Sequence, residues 1–199
     1  LRREGNEVAD FSMQDERNFA SDYAPYFVGR QDYRGSGRLD KLKSALAFVH
    51  SPEAVRKIGA LIEATRPDLV HCHNIYHQLT PSIIGAAKAR GVPVALTLHD
   101  YKPVCPAYTR LRNGKPCSEC LEGSFAPALR HRCAEGSLGQ SALLYAEAVT
   151  QRRLGSYEKA DRFVAPSRFM AESVARRFPA DRIALLYNGV DMANSPDAG

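Results

Sequence analysis

Four times in this chain a helical stripe runs into a short apolar strand, and that alternation limits the possible fold more than any other feature. Ser51-Pro52 opens a helix, with Ser as N-cap and Pro in the first turn, and Val55, Ile58, Leu61 and Ile62 form its buried stripe. Arg66-Pro67 ends that helix, and residues 68–73 follow as a short strand of buried character. Thr80-Pro81 caps a second helix running to Arg90, Gly91 stops it, and residues 92–98 are an apolar, β-branched strand. Residues 139–157 read as a third helix before a strand at 161–165. Ser167 caps a fourth helix to about Arg177, before a last strand at 183–187. Upstream, Leu39, Leu42, Leu46 and Val49 also have helical spacing.

Helices alternating with strands imply an α/β fold: a Rossmann-like, doubly wound, mostly parallel sheet with helices on both faces and right-handed crossovers. In such sheets the ligand crevice lies beyond the carboxyl ends of the strands. His73-Asn74, His99-Asp100, Pro166-Ser167 and Asn188-Gly189 should therefore share one rim. Ordinary turn and cap chemistry also accounts for Ser167 and for Asn188-Gly189. His99-Asp100 ends the most apolar strand, so a polar pair there faces solvent in a cleft or a ligand.

The segment 103–135 interrupts this regularity. It is rich in Gly and Pro and carries Cys105, Cys117, Cys120 and Cys133 in a C-x11-C-x2-C-x12-C pattern, whereas Cys72 reads as a small buried strand residue. Four thiols in an irregular insertion fit a tetrahedral structural zinc site that staples a loop too polar to hold itself. Packed free thiols and redox chemistry are the other readings. The redox reading is the weaker, because Cys117 and Cys120 lie away from the helix N-terminus that would lower a thiol pKa.

The start, LRREGNEVADFS, reads as the last turn of a helix, a stop at Gly5 and then a strand, with an earlier strand expected upstream. Residues 13–40 are polar and aperiodic, a long loop whose Gly35 and Gly37 do not make a phosphate loop. With 199 residues, 44% of them hydrophobic, the chain can bury a proper core. No apolar run approaches the roughly 18–20 residues of a membrane span. A net charge of +5 favours polyanionic partners, although Arg152, Arg153, Arg176 and Arg177 fall on helical stretches where a solvated face is the plainer reading. An odd count of five cysteines and the lack of a basic, apolar leader make the cytoplasm the expected compartment.

Taken in order, HCHNIYHQLTPSIIGAAKARGVPVALTLHDYKPVCP, ADRFVAPSRFMAESV and LLYNGVD resemble the successive motifs of the N-terminal domain of family 4 glycosyltransferases, over residues 1–192. The resemblance implies the GT-B fold and a retaining transfer of a sugar, of hexosyltransferase type, from a nucleotide-diphosphate sugar to a hydroxyl acceptor on a glycan or lipid-linked glycan. No cofactor is required for that chemistry. By match, His99 positions the donor sugar with Asp100 beside it. His73 and Asn74 line the acceptor side, and Ser167, Asn188 and Gly189 complete the substrate-binding rim. Residues 193–199 would lead to a C-terminal donor-binding domain with an E-x7-E pair, which this sequence lacks, so the chain alone is expected to be inactive. Peripheral contact with the inner membrane face fits a lipid-linked acceptor.

The contrasting class is a zinc-stapled Rossmann-like module that binds nucleic acid or another polyanion. It accounts for charge and cysteines but not for the ordered rim motifs. The chain also lacks interleaved aromatic and basic residues, so no nucleic acid partner is expected.

Overall fold

A computed structural model describes residues 1–30, 48–76 and 78–189. Leu39, Leu42, Leu46, Gly35, Gly37, the Val190-Asp191 end of the last motif and the tail at 193–199 lie outside the described residues.

Helix α1 (Pro52–Thr65) forms as its sequence dictates. The Ser51 hydroxyl accepts the Ala54 N–H at 3.2 Å, proline occupies the first turn, and Ala54, Ile58, Leu61 and Ile62 recur on one buried face. Arg66 closes the helix in the left-handed conformation, φ 47°, because the residue before Pro67 is pushed out of the helical region. The chain then enters strand β1 (Val70–His73), crosses through α2 (Ser82–Lys88) and returns as β2 (Val94–Thr97).

A small antiparallel hairpin follows, β3 (Leu111–Arg112) with β4 (Lys115–Pro116), and then two helices, α3 (Ala126–Arg130) and α4 (Leu138–Leu154). The hairpin turns on Asn113 and Gly114, both at positive φ. That pair favours a tight hairpin and was the readable signal for it inside a segment otherwise taken as irregular. Strand β5 (Arg162–Ala165), helix α5 (Arg168–Ala175) and strand β6 (Ile183–Leu185) follow.

The main sheet has the order β1-β2-β5-β6, and every neighbouring pair is parallel. With helices around it, this is an α/β, Rossmann-like fold. Burial alternates along the strands as period two requires. Cys72, Val94, Leu96, Phe163 and Ala165 point into the core, while His71, His73 and Arg162 are exposed on the opposite face. Asp161 ties the start of the sheet together, accepting the Val94 N–H at 2.7 Å and pairing with Lys88 of α2 at 2.8 Å.

The N-terminal segment departs from expectation. Gly5, at φ 82°, does end a helical turn over Arg2–Glu4, but residues 6–12 form no strand. The segment makes one isolated parallel bridge, Met13 to Val28, and drapes Ala9, Phe11 and Met13 on the core. Its alternating side chains find packing there without a neighbouring strand in register among the described residues. No helix among the described residues is long and apolar enough to cross a membrane.

Phe163 anchors the central strand, fully buried and 4.7 Å from the Phe178 ring. Replacing it, Phe163→Ala, should lower unfolding free energy by about 3–5 kcal/mol in urea titration. A loss below about 1 kcal/mol would contradict this packing.

Candidate functional site

The parallel register decides where the polar strand ends lie. His73 sits opposite Thr97, Thr97 opposite Val164, and Val164 opposite Ala184. His73-Asn74, His99-Asp100, Ser167 and Asn188-Gly189 therefore follow the carboxyl ends of β1, β2, β5 and β6 on one edge. Asn74 leaves β1 at φ 46°, a left-handed turn that asparagine tolerates better than most residues.

Two of these residues meet. His73 Nδ1 and His99 Nε2 are 3.0 Å apart, with ring centroids 5.3 Å apart. The sequence reading missed a third member, His71. Its ring centroid lies 4.2 Å from that of His73, the planes tilted by 50°, and its Nε2 lies 2.8 Å from the Thr97 hydroxyl. The spacing was the available signal, since residues i and i+2 of a strand share a face and His71-Cys72-His73 therefore presents two imidazoles together. Burial, then the charge of neighbouring imidazoles, lowers the pKa of both His71 and His73, favouring neutral rings at pH 7.

Beneath His99 lies a buried polar group that composition did not reveal. Asp100 Oδ1 accepts the Lys102 N–H at 2.8 Å, closing the turn after β2. The Lys102 ammonium, 2% exposed, reaches Glu147 of α4, 3% exposed, at 2.8 Å, and donates to the Pro106 carbonyl at 3.3 Å. Burial raises the Asp100 carboxyl, while the Lys102 N–H and ammonium oppose that rise. Burial likewise raises the phenols of Tyr76 and Tyr157, with nearby charges including Asp100 and Glu147 adding to it. The two rings stand 6.5 Å apart. This ionic floor joins the His99-Asp100 turn to the body of the domain.

Ser167 caps α5, its hydroxyl accepting the Met170 N–H at 3.2 Å, so its oxygen already carries a structural bond. Asn188 and Gly189 are exposed beyond β6. Beside the rim, an open groove of about 730 Å³ lies between the 103–135 segment and α5. Arg110 crosses it, 4.4 Å from the Phe169 ring and 5.8 Å from the Tyr101 ring, and so joins α5 to the turn after His99. Glu122 pairs with Arg176 across the same groove, so much of its charge is internally matched.

The zinc reading of Cys105, Cys117, Cys120 and Cys133 finds no support. Among the described residues no group of three or more His, Cys, Asp or Glu side chains is placed to hold a metal ion. All four cysteines are free and feel one another electrostatically. Burial, and then the neighbouring Cys105, Cys117 and Cys133, pushes the Cys120 thiol up to about 12. Burial also raises Cys105 and Cys133. Packing contributes to holding the segment: Leu121, Phe125 and Ala128 are buried. Arg177 donates to the Cys120 carbonyl at 2.6 Å and lies 4.4 Å from the Phe125 ring.

The sequence profile described as Glycosyltransferase Family 4 matches residues 1–194. No curated protein matches the chain.

Two outcomes follow from the site's electrostatics. Lys102→Ala leaves Glu147 buried without its cation and should cost about 3–5 kcal/mol by chemical denaturation. The double change Lys102→Met with Glu147→Leu should lie much nearer the original stability, and equal losses would contradict the pairing. At pH 8, Cys72 and Cys120, both pushed up to about 12, carry little thiolate. They should be the last cysteines alkylated by iodoacetamide in a mass-spectrometric time course, and early labelling of either would overturn that assignment.

Proposed function

This chain belongs to glycosyltransferase family 4, and we propose that its carboxyl sheet edge forms the acceptor-side wall of a cleft in a retaining hexosyltransferase. The donor is a nucleotide-diphosphate sugar, and the acceptor is a hydroxyl of a glycan or lipid-linked glycan. A second, donor-binding domain forms the opposite wall. The enzyme works on the cytoplasmic side, with peripheral contact at the inner membrane face where a lipid-linked acceptor is presented.

The observation that supports this reading is the meeting of His73 and His99 on the edge where doubly wound sheets bind ligands. In a retaining front-face transfer, positive charge builds on the sugar ring while the bond to the leaving diphosphate breaks. A diphosphate oxygen takes the acceptor's proton as the new glycosidic bond forms. The protein's task is to orient the reactants and to hold fixed dipoles where charge develops. His99 hydrogen-bonds a donor-sugar hydroxyl near the reacting carbon, and Asp100 steadies the turn that carries it. His73 and Asn74 face the acceptor, while Ser167, Asn188 and Gly189 border the cleft. The chemistry itself uses no cofactor.

The test is His99→Ala in the transferase that contains this chain, assayed against a panel of nucleotide-diphosphate sugars. Removing a donor-sugar contact should lower kcat by about 10²–10³, with circular dichroism unchanged. Undiminished turnover would remove His99 from the site and the reading with it.

A further inference from the structure

We infer that His73 is the positioning residue of His99: its Nδ1 accepts a hydrogen bond from the Nε2–H of His99, leaving Nδ1 of His99 as a lone-pair acceptor for a substrate hydroxyl. The substrate side of this assignment rests on the transferase reading. The bond between the two histidines stands on geometry alone.

The two nitrogens lie 3.0 Å apart, and one proton must sit between them. Two wirings satisfy that contact. If His73 donated from Nδ1, its ring would be in the Nδ1–H form. His99, accepting at Nε2, would also carry its proton on Nδ1, so both rings would occupy the tautomer that a free histidine side chain disfavours. If His99 donates from Nε2, both rings keep the favoured Nε2–H tautomer. The second wiring therefore costs less. It also determines what each ring offers the cleft: His99 a bare Nδ1, and His73 an Nε2–H donor.

The surroundings hold this arrangement in place. The His71 ring packs against that of His73, centroids 4.2 Å apart and planes tilted by 50°, and is itself anchored to the Thr97 hydroxyl, so the His73 ring has a fixed neighbour. His73 ends β1 directly opposite Thr97 of β2, and His99 follows two residues later. His73 thus lies on a strand, and His99 lies in the turn just past its neighbour, which Asp100 closes by accepting the Lys102 N–H. Burial helps keep His71 and His73 neutral, which preserves the lone pair that His73 Nδ1 must present. An acceptor nitrogen on His99 suits a sugar hydroxyl that donates, and it cannot contribute a proton to the leaving group.

The experiment is nitrogen-15 NMR on the 199-residue chain above pH 7. A through-hydrogen-bond nitrogen–nitrogen coupling is expected between His73 Nδ1 and His99 Nε2, with His99 protonated at Nε2 and bare at Nδ1. His73→Asn places an amide oxygen near the lost Nδ1 and should preserve slow exchange of the His99 Nε2–H, whereas His73→Leu should abolish it. No coupling, a proton on His99 Nδ1, or exchange in His73→Leu as slow as in the original chain overturns the wiring. These readouts need no activity and so fail separately from the transferase reading. In the transferase, His73→Leu should lower kcat about tenfold, the scale of a lost orienting partner, and His73→Asn should recover most of it. Equal kcat for the two variants overturns the positioning role.

Discussion

The parallel register of β1, β2 and β5 is the constraint on which the rest depends. Because His73 is level with Thr97 and Thr97 with Val164, every strand releases its following loop at the same edge. A shift of one residue would turn His71 and His73 toward the core and Cys72 outward, reversing which face is dry. Leu96 and Phe163, both fully buried, oppose such a slip from the centre of the sheet. The Asp161 carboxylate opposes it from the other end, where it binds the first N–H of β2 and the last turn of α2.

On that frame the rim is built in two layers. The upper layer holds the imidazoles of His71, His73 and His99, each in contact with the next. The lower layer is the Lys102–Glu147 pair, with Asp100 bonded to the Lys102 backbone. A buried ion pair adds little net stability compared with an apolar substitute, but losing one partner is costly, so the turn after β2 has few alternative positions. Arg110 extends this restraint sideways, lying against the aromatic rings of Tyr101 and Phe169 and so linking the turn to the helix after β5. The domain thus offers a pre-ordered edge.

Much of this was legible beforehand. Ser51, Ser167, Gly91 and Arg66-Pro67 marked helix ends through local chemistry that needs no tertiary knowledge, and the apolar runs between them became the four strands. What stayed hidden was of a different kind. The strand read into residues 6–12 failed because alternation predicts a strand only where another strand accepts it in register. Lys102 and Glu147 each look like ordinary surface residues, and only the crossing of α4 beneath the β2 turn buries them together. His71 was overlooked although its spacing from His73 announced a shared face. The zinc reading rested on the spacing of four cysteines, and spacing alone does not place their side chains around one point; no such metal-holding group is found among the described residues.

The central claim is that this edge handles the transferred sugar. The most direct measurement is a crystal structure of the transferase containing this chain, with a nucleotide-diphosphate sugar bound. The account predicts a sugar hydroxyl within hydrogen-bond distance of His99 Nδ1. A donor sugar seated away from the β1–β2 edge, with His99 facing only solvent, would contradict it.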